Sequence, residues 1–479
     1  MKLPEITRLS LLSLFSLVAV GTLLAQPAAP TPAPELPGFY WITFKDKAGT
    51  PFSVKKPEAF LSQKALDRRK KTDTPVTAQD LPVNPKYVAQ LQNSGAGIQY
   101  TSRWFNAATV TATASVVKQL EKLPCVASVT FVGKAPVASV WKTKAPEGTF
   151  DAERKAVPID SLYYGYADQQ IKQMNGHSLH ALGHRGKGIM VTVLDGGFIS
   201  ADKHYVFDSL RTKNLLIPAR DFVDNDWQVC ESSSHGMQVL SVMGGNQPGV
   251  LVGAAPYAAY VLVKTEDVRS EYRVEECNWI AGLEYADSLG ADIVNSSLGY
   301  TTFSDKTMDY QYSSLNGNSD ASKAAELATA RGMIVVNSAG NEGDSDWKYV
   351  GVPADSKGAF SIGAVDSKGA KAGFSSFGPT ADGRIKPDVS AAGSRVMAAS
   401  ASSNQIRPTS GTSLSAPLVS GMIAALWSAF PERTNLEIMD AVRQSGNQAD
   451  APDNELGYGI PDFLKAYQLL LKGKLPERP

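Results

Sequence analysis

The chain contains little cysteine, little histidine and no net charge. Three of its 479 residues are cysteines, an odd number too small for a disulfide framework. Cys125 lies among apolar residues and is expected to be a small buried side chain. Cys230 and Cys277 are candidates for a pair in an oxidising compartment. Lysine plus arginine equals aspartate plus glutamate, 47 each, so the charge balance favours neither nucleic acid nor an anionic membrane as a partner.

Long hydrophobic runs are also scarce, and the one clear example lies at the N-terminus. Lys2 and Arg8 precede an apolar stretch from about Leu9 to Leu24, and small residues follow it. This pattern predicts a signal peptide over residues 1–25, with an uncleaved membrane anchor as the alternative. Because no later segment resembles a membrane span, we predict an exported protein in the periplasm, at the cell surface or in the medium.

The rest of the sequence divides into segments of different composition. Short strand-like runs alternate with short amphipathic helices in the first structured segment, which carries no catalytic set. In chain order we predict a proline-rich linker (26–37), a small α+β domain (38–133), a connector rich in glycine and proline (134–149), a larger α/β domain (150–470) and a tail (471–479).

From Ile189 onward, apolar strands alternate with helical patterns. Ile189–Leu194 is a continuous apolar run of the kind that is buried on both faces of a parallel sheet, and it ends at Asp195. Two later strands end close to Ser297 and Asn341. The pattern predicts a doubly wound, mostly parallel sheet flanked by helices, with Asp195 after its central strand. Functional groups are expected beyond the carboxyl ends of its strands.

A serine, a histidine and an aspartate stand at the ends of these predicted elements. Ser413 follows Gly411 and Thr412 at the start of an apolar helical run, where free N–H groups favour an oxyanion. A plain N-cap serine is the alternative. His235 opens another helix after three serines. A serine nucleophile needs such a base and a carboxylate such as Asp195 to orient it.

Eight short motifs stand in a fixed order along residues 150–470. The motifs are Val193–Gly197, His235–Gly236, Gly253–Pro256, Asn295–Gly299, Ser338–Asn341, Phe374–Gly378, Lys386–Asp388 and Gly411–Pro417. Each motif alone is modest, but the ordered set is specific, and through it residues 150–470 resemble the subtilisin-like serine proteases (subtilases).

The resemblance implies a serine endopeptidase that cleaves proteins and peptides through an acyl-enzyme on Ser413. His235 is then the general base and acid, Asp195 the orienting carboxylate, and Asn341 the oxyanion donor, with a turn asparagine as the alternative for Asn341. Substrate is expected to lie as an added strand between two backbone edges. These edges are Ser297, Leu298 and Gly299, and Ser338, Ala339 and Gly340.

The sequence departs from the usual subtilase pattern without losing a reacting group. Gly196 stands where a serine or threonine is usual, so the hydroxyl beside Asp195 is missing. Three more unusual residues are Met237, Gln238 and Leu414. Pro417 lies within the predicted helix and lacks the N–H that would bond to the Ser413 carbonyl, which therefore needs another partner.

The resemblance also suggests a role for residues 38–133. Subtilases are often exported as zymogens, and this segment has the size and position of a propeptide that assists folding and inhibits the enzyme. Cleavage is expected between about Gly133 and Phe150. Two other functions fit the same scaffold, namely a non-catalytic binding protein and a peptide ligase or transferase. Neither nucleic acid nor a membrane is an expected partner of the mature protein.

The chemistry of this family needs no cofactor, but calcium for stability is a possibility. Several acidic residues around Trp227 offer oxygen ligands, and a solvated acidic loop is the alternative. They are Asp221, Asp224, Asp226 and Glu231. His177, His180 and His184 have the spacing of one helix face and suggest either a metal site or ordinary polar positions. The loop Thr301–Asn318 is expected to border the cleft or to pack its aromatic side chains.

Overall fold

A computed structural model describes residues 35–136 and 163–473. The predicted signal peptide 1–25, most of the linker 26–37, most of the connector 134–149 and most of the tail 471–479 lie outside the described residues. From Leu36 onward the chain forms one unit, in which two hydrophobic layers enclose a large sheet and a third core belongs to the N-terminal part.

The N-terminal part is a four-stranded antiparallel sheet with strand order β2-β3-β1-β4. Side chains alternate along β1, so Ile42 faces Leu91 and Leu120 in this domain's own core while Trp41 points to the opposite face. The elements are β1 (Gly38–Phe44), α1 (Gln63–Lys71), α2 (Pro85–Asn93), β2 (Gly97–Ser102), β3 (Ala107–Ala112), α3 (Ala114–Leu120) and β4 (Val126–Lys134).

A seven-stranded parallel sheet, ordered β13-β12-β11-β10-β5-β9-β6, forms the centre of the second part. The prediction of a doubly wound parallel sheet is confirmed, although β10 rather than β5 is its middle strand. The strands of this part are β5 (Met190–Asp195), β6 (Leu216–Asp221), β7 (Asn246–Gln247), β8 (Leu251–Val252), β9 (Ala259–Lys264), β10 (Ile293–Ser296), β11 (Ile334–Ser338), β12 (Ala359–Val365), β13 (Val389–Ala392), β14 (Val396–Ala399) and β15 (Ile406–Thr409).

Helices cover both faces of this sheet, as expected for strands that are apolar on both sides. They are α4 (Asp168–Lys172), α5 (Gly176–Ala181), α6 (Asp208–Thr212), α7 (His235–Gly244), α8 (Val274–Leu289), α9 (Asp320–Ala330), α10 (Thr412–Ala429), α11 (Asn435–Ser445) and α12 (Phe463–Lys472). Helix α10 is long and apolar enough by composition to cross a bilayer, but it is the core helix on one face of the sheet and is almost entirely buried.

The N-terminal sheet packs its second face against α8. Trp41 and Trp104 share a hydrophobic cluster there with Trp279 and Ile280 of that helix. Beside this apolar contact, the carboxylate of Asp287 lies fully buried and pairs with arginines of the N-terminal domain. These arginines are Arg68, Arg69 and Arg103.

All three cysteines are free, so Cys230 and Cys277 do not pair. Cys125 is buried, as predicted from its apolar neighbours.

Candidate active site

Asp195 and His235 form a hydrogen-bonded pair at the carboxyl end of β5. The Asp195 carboxylate is 1% exposed, and its two oxygens lie 2.8 and 3.0 Å from Nδ1 of His235. Because a carboxylate only accepts, Nδ1 carries the proton and Nε2 presents a lone pair. The negative charge of Asp195 raises the pKa of His235, although burial of the ring acts in the opposite direction.

Glycines allow the strand end and the helix to approach. A side chain at Gly236 would place its Cβ 2.6 Å from the Gly197 carbonyl and 2.8 Å from the Asp195 Cβ. The Gly196 N–H donates to Asp195 at 2.8 Å, so a backbone group bonds to the carboxylate where a hydroxyl was expected. Ser234 is the N-cap of α7 and makes no capping hydrogen bond with its side chain, whereas the hydroxyl of Ser233 accepts the His235 N–H at 3.1 Å.

Ser413 is the second residue of α10, so it belongs to the first turn and is not the N-cap. Its carbonyl is the group left without a helical partner by Pro417, which lies inside α10. The Ser297 hydroxyl donates to that carbonyl at 3.0 Å, and the Ser413 hydroxyl donates back to the Ser297 carbonyl at 3.3 Å. Within the described residues, no hydrogen bond joins Ser413 to His235. Catalytic contacts of this kind often tighten only when substrate binds.

The Ser297 hydroxyl is itself held by a second pair of side chains. Asn295 donates to it from Nδ2 at 3.2 Å, and Ser420 of α10 donates to Oδ1 of Asn295 at 2.8 Å. Asn295 and Ser420 are fully buried. The first and third turns of α10 are thereby tied to the end of β10, which fixes where Ser413 stands relative to the sheet.

Asn341 follows β11 and turns its amide towards the start of α10. Its Oδ1 accepts the N–H of Thr412 at 2.9 Å and the hydroxyl of Thr412 at 3.0 Å. With the oxygen engaged in this way, the two Nδ2 protons are the groups left to donate. The position of Asn341 therefore suits an oxyanion donor better than a free turn asparagine, and Thr412 is a supporting residue that sequence reasoning missed.

The two predicted backbone edges line a cavity of about 100 Å³ next to Ser413. All six predicted substrate-binding residues belong to its wall. Its lining is Ser297, Leu298, Gly299, Thr301, Ser338, Ala339, Gly340, Asn341, Glu342, Gly351, Ala354 and Ser413. The Leu298 carbonyl accepts from Nδ2 of Asn337 at 3.0 Å and from the Ser338 hydroxyl at 3.4 Å, which joins the two edges. Sequence reasoning did not anticipate Glu342, whose carboxylate accepts the Ser376 hydroxyl at 3.0 Å.

Comparison with known proteins shows which family has these features. Residues 186–459, more than half of the chain, match the model of the subtilase family. The chain belongs to the subtilase family. Residues 39–148 also match a propeptide domain of peptidase S8 proteins from Bacteroidota. The protein is therefore a subtilisin-like serine endopeptidase with a zymogen propeptide.

Individual subtilases agree with this assignment. The chain is 28% identical over 365 residues to subtilisin E of Bacillus subtilis, covering 74% of this chain and 79% of the relative. It is 30% identical over 285 residues to subtilisin of Bacillus pumilus, covering 57% and 90%. A crystal structure of MycP1 with its N-terminal propeptide removed aligns with a TM-score of 0.52 at 20% identity, over 65% of this chain and 98% of that one, and supports the fold alone.

Two of the three histidines predicted as metal ligands have ordinary structural partners, whereas Nδ1 of His177 is buried without a hydrogen-bond partner among the described residues. His180 is buried between the Tyr164 hydroxyl at 3.0 Å and the Ala254 carbonyl at 2.9 Å. His184 packs against the ring of Tyr467. Within residues 35–136 and 163–473, no cluster of converging ligand side chains contains a histidine.

The loop Thr301–Asn318 combines both of its predicted roles. Thr301 lines the cavity, whereas Phe303 and Tyr310 are buried and lie against the guanidinium of Arg273.

Three of the four acidic residues around Trp227 come together, but around a lysine. Asp221, Asp224 and Glu231 have ligand atoms within 4.8 Å of one another. Nζ of Lys264 lies 2.9, 2.8 and 4.0 Å from these three carboxylates. Asp226 is not part of the group and accepts the Gln228 N–H at 2.7 Å. The expected solvated acidic loop is therefore wrong for Asp221, which is fully buried.

Proposed function

We propose that this subtilase is an exported endopeptidase that cleaves peptide bonds through an acyl-enzyme on Ser413. The observation that carries the proposal is the pair formed by Asp195 and His235 beside the head of α10, where Nδ2 of Asn341 has no hydrogen-bond partner among the described residues. The nucleophile, the base, the orienting carboxylate and the oxyanion donor are then all groups of the protein, and the reaction needs no cofactor.

Substrate binding between the two edges places a scissile carbonyl next to Ser413. Nε2 of His235 takes the hydroxyl proton as Oγ attacks the carbonyl carbon, while Asp195 stabilises the imidazolium that forms. The new oxyanion accepts hydrogen bonds from Asn341 Nδ2 and from the Ser413 N–H, which is one of the unpaired N–H groups of the first helical turn. His235 then protonates the leaving amine, and water releases the acyl group by the reverse steps.

Replacement of the nucleophile tests this proposal. We expect Ser413→Ala to abolish hydrolysis of casein or a peptide library, and to abolish covalent labelling by a fluorophosphonate. Ser415→Ala is a matched control, because this hydroxyl lies in the same helix turn and donates only to the Thr412 carbonyl at 3.0 Å. Labelling of Ser413→Ala, or loss of labelling in Ser415→Ala alone, would contradict the assignment.

The domain boundaries belong to the same proposal. Residues 38–133 act as the propeptide, residues 150–470 as the catalytic domain, and cleavage falls between Gly133 and Phe150. The match to a propeptide model over 39–148 and the packing of the N-terminal sheet on α8 support this division. Intact-mass measurement of the secreted active protein tests it. An active form that retains 38–133 by a covalent bond would exclude processing, and a secreted form with its N-terminus near Met1 would exclude signal cleavage.

A further inference from the structure

The ammonium group of Lys264 lies buried among three carboxylates. This side chain is 2% exposed, and Nζ donates to Asp221 Oδ2 at 2.9 Å and to Asp224 Oδ2 at 2.8 Å. Burial alone would lower the pKa of Lys264, but the carboxylates of Asp221 and Asp224 raise it above its usual value. The group is therefore a charged internal cation.

These carboxylates would otherwise suit calcium, the ion that subtilases typically bind. Hard carboxylate oxygens within 4.8 Å of one another are an appropriate donor set for Ca²⁺. Oδ2 of Asp221 and Oδ2 of Asp224, however, already accept from the ammonium of Lys264, and Oδ1 of Asp224 accepts from Arg269 at 3.0 Å. A divalent ion at the same oxygens would lie a few ångströms from the ammonium, at a strong electrostatic cost in a buried site. The residues present do not fit calcium.

Lys264 also connects this cluster to the catalytic pair. It is the last residue of β9 and the register partner of Asp195 on the neighbouring strand β5. Its carbonyl accepts the Phe222 N–H at 2.9 Å, at the start of the loop that runs to His235. One residue thus holds the loop before the catalytic histidine through both its backbone and its side chain.

We propose that Lys264 is a positioning residue whose ammonium replaces a calcium ion in the loop ahead of His235. The loop is fixed by an internal cation, so its geometry does not depend on a bound metal. Removing the ammonium would leave Asp221, Asp224 and Glu231 close together with one remaining counter-charge, Arg269. That arrangement would destabilise the loop and create a Ca²⁺ site in place of the lysine.

The first experiment measures Ca²⁺ binding by calorimetry on the full chain carrying Ser413→Ala, which prevents self-digestion. In this background we expect D224N to bind as many Ca²⁺ ions as the parent. K264M should bind one more ion than the parent, and K264M/D224N should lose that additional ion. K368M, at an exposed lysine in a loop, is the matched control and should resemble the parent.

The second experiment measures stability and activity. In EGTA we expect K264M to melt at least about 5 °C below the parent, because a buried charge cluster has lost one partner. Ca²⁺ at millimolar concentration should restore most of that difference. In the active enzyme with Ser413 present, Ca²⁺ should raise kcat/KM of K264M by about fivefold or more and leave the wild type unchanged. A lysine that merely fills space would not produce this rescue by calcium.

Two results would overturn the proposal. One is Ca²⁺ binding by the parent that D224N removes, since the ion would then share the site with Lys264. The other is a folded K264M that neither gains an ion nor recovers with Ca²⁺. If K264M does not fold, the comparison of the parent with D224N decides the question alone. The activity measurement rests on the proposed function, whereas ion binding and melting do not. Failure of the proposed function would therefore affect only the activity measurement, and failure of the Lys264 proposal would also appear in ion binding and melting.

Discussion

Asp287 of α8 forms ion pairs with three arginines where the propeptide domain packs on the catalytic domain. Its carboxylate is fully buried and accepts from Arg69 Nη2 at 2.8 Å, from Arg103 Nη2 at 2.6 Å and from Arg68. Burial would raise the pKa of Asp287, but the charges of these three arginines and of Arg331 outweigh it and lower the pKa. All three arginines belong to the N-terminal domain, so the contact exists only while that domain is bound.

Replacing this carboxylate by an amide is therefore expected to weaken propeptide binding. Asp287→Asn keeps the shape of the side chain but leaves buried guanidinium groups without their shared counter-charge. Breaking a buried ion pair by removal of one partner costs about 3–5 kcal/mol. Asp80 still pairs with Arg69 and with Arg331, so the lower end applies. About 3 kcal/mol corresponds to roughly a hundredfold weaker binding.

The assay follows release of the propeptide after processing. Wild-type and D287N proteins are allowed to process themselves, then diluted to nanomolar concentration, and peptide hydrolysis is recorded as activity appears. We expect D287N to reach full activity roughly a hundredfold faster. The final kcat/KM should match the wild type, because Asp287 has no hydrogen-bond partner in the catalytic domain among the described side chains.

Asp168→Asn is the matched control for this assay. Asp168 forms an exposed pair with Lys172 on α4, and such pairs contribute little. Its time course should follow that of the wild type. Activation of D287N within threefold of the wild-type rate would refute the reasoning, because it would mean that the buried charges contribute no net binding energy.

Three further predictions concern the catalytic residues. Ser297→Ala leaves the Ser413 carbonyl without a donor and should lower kcat about tenfold with little change in KM, whereas Ser415→Ala should leave kcat unchanged. If Ser297→Ala had the same kcat as the wild type, Ser297 would not position Ser413. Asn341→Ala should lower kcat by about a hundred- to a thousandfold, the loss known for the corresponding donor in subtilisin itself; an unchanged kcat would mean another oxyanion donor. In the proposed mechanism the unprotonated form of His235 is the base, and its pKa is raised, so kcat/KM should be lost as pH falls through a midpoint above 6.5; a midpoint below 6.5 would contradict the effect of Asp195.

Features encoded in short stretches could be predicted from the sequence. The strand ending at Asp195 and the helix starting near Ser413 follow from continuous apolar runs and their polar ends. The motif order led to the subtilase fold because each motif stands at an element boundary. The missing partner of the Ser413 carbonyl was also predictable, since a proline at position 417 removes a donor wherever the helix lies.

The identity of that partner depends on distances that the sequence does not contain. Ser297 is 116 positions from Ser413, and Thr412 is 71 positions from Asn341. The lysine that joins the acidic cluster lies 40 or more positions beyond Asp221 and Asp224. Serine, threonine and lysine are common, so composition alone could not distinguish these residues from solvent-exposed ones. The packing of α10 against β10 and β11 brings Ser413 and Thr412 to their partners, and the parallel register of β6 and β9 brings Lys264 to Asp221.

The register of β5 and β9 explains how Asp195 and His235 can be held together although His235 follows a long loop. Asp195 and Lys264 end two adjacent strands and are cross-strand partners, so the relative positions of carboxylate and ammonium are set by the sheet. The ammonium then holds the beginning of the loop through Asp221 and Asp224, and the Gly236 N–H bonds to the Gly197 carbonyl at its end, at 3.1 Å. The loop is thereby attached at its beginning to β9 and at its end to the residues that follow β5. A change within the loop should alter its exposed surface, near Trp227, before it alters the separation of Asp195 and His235.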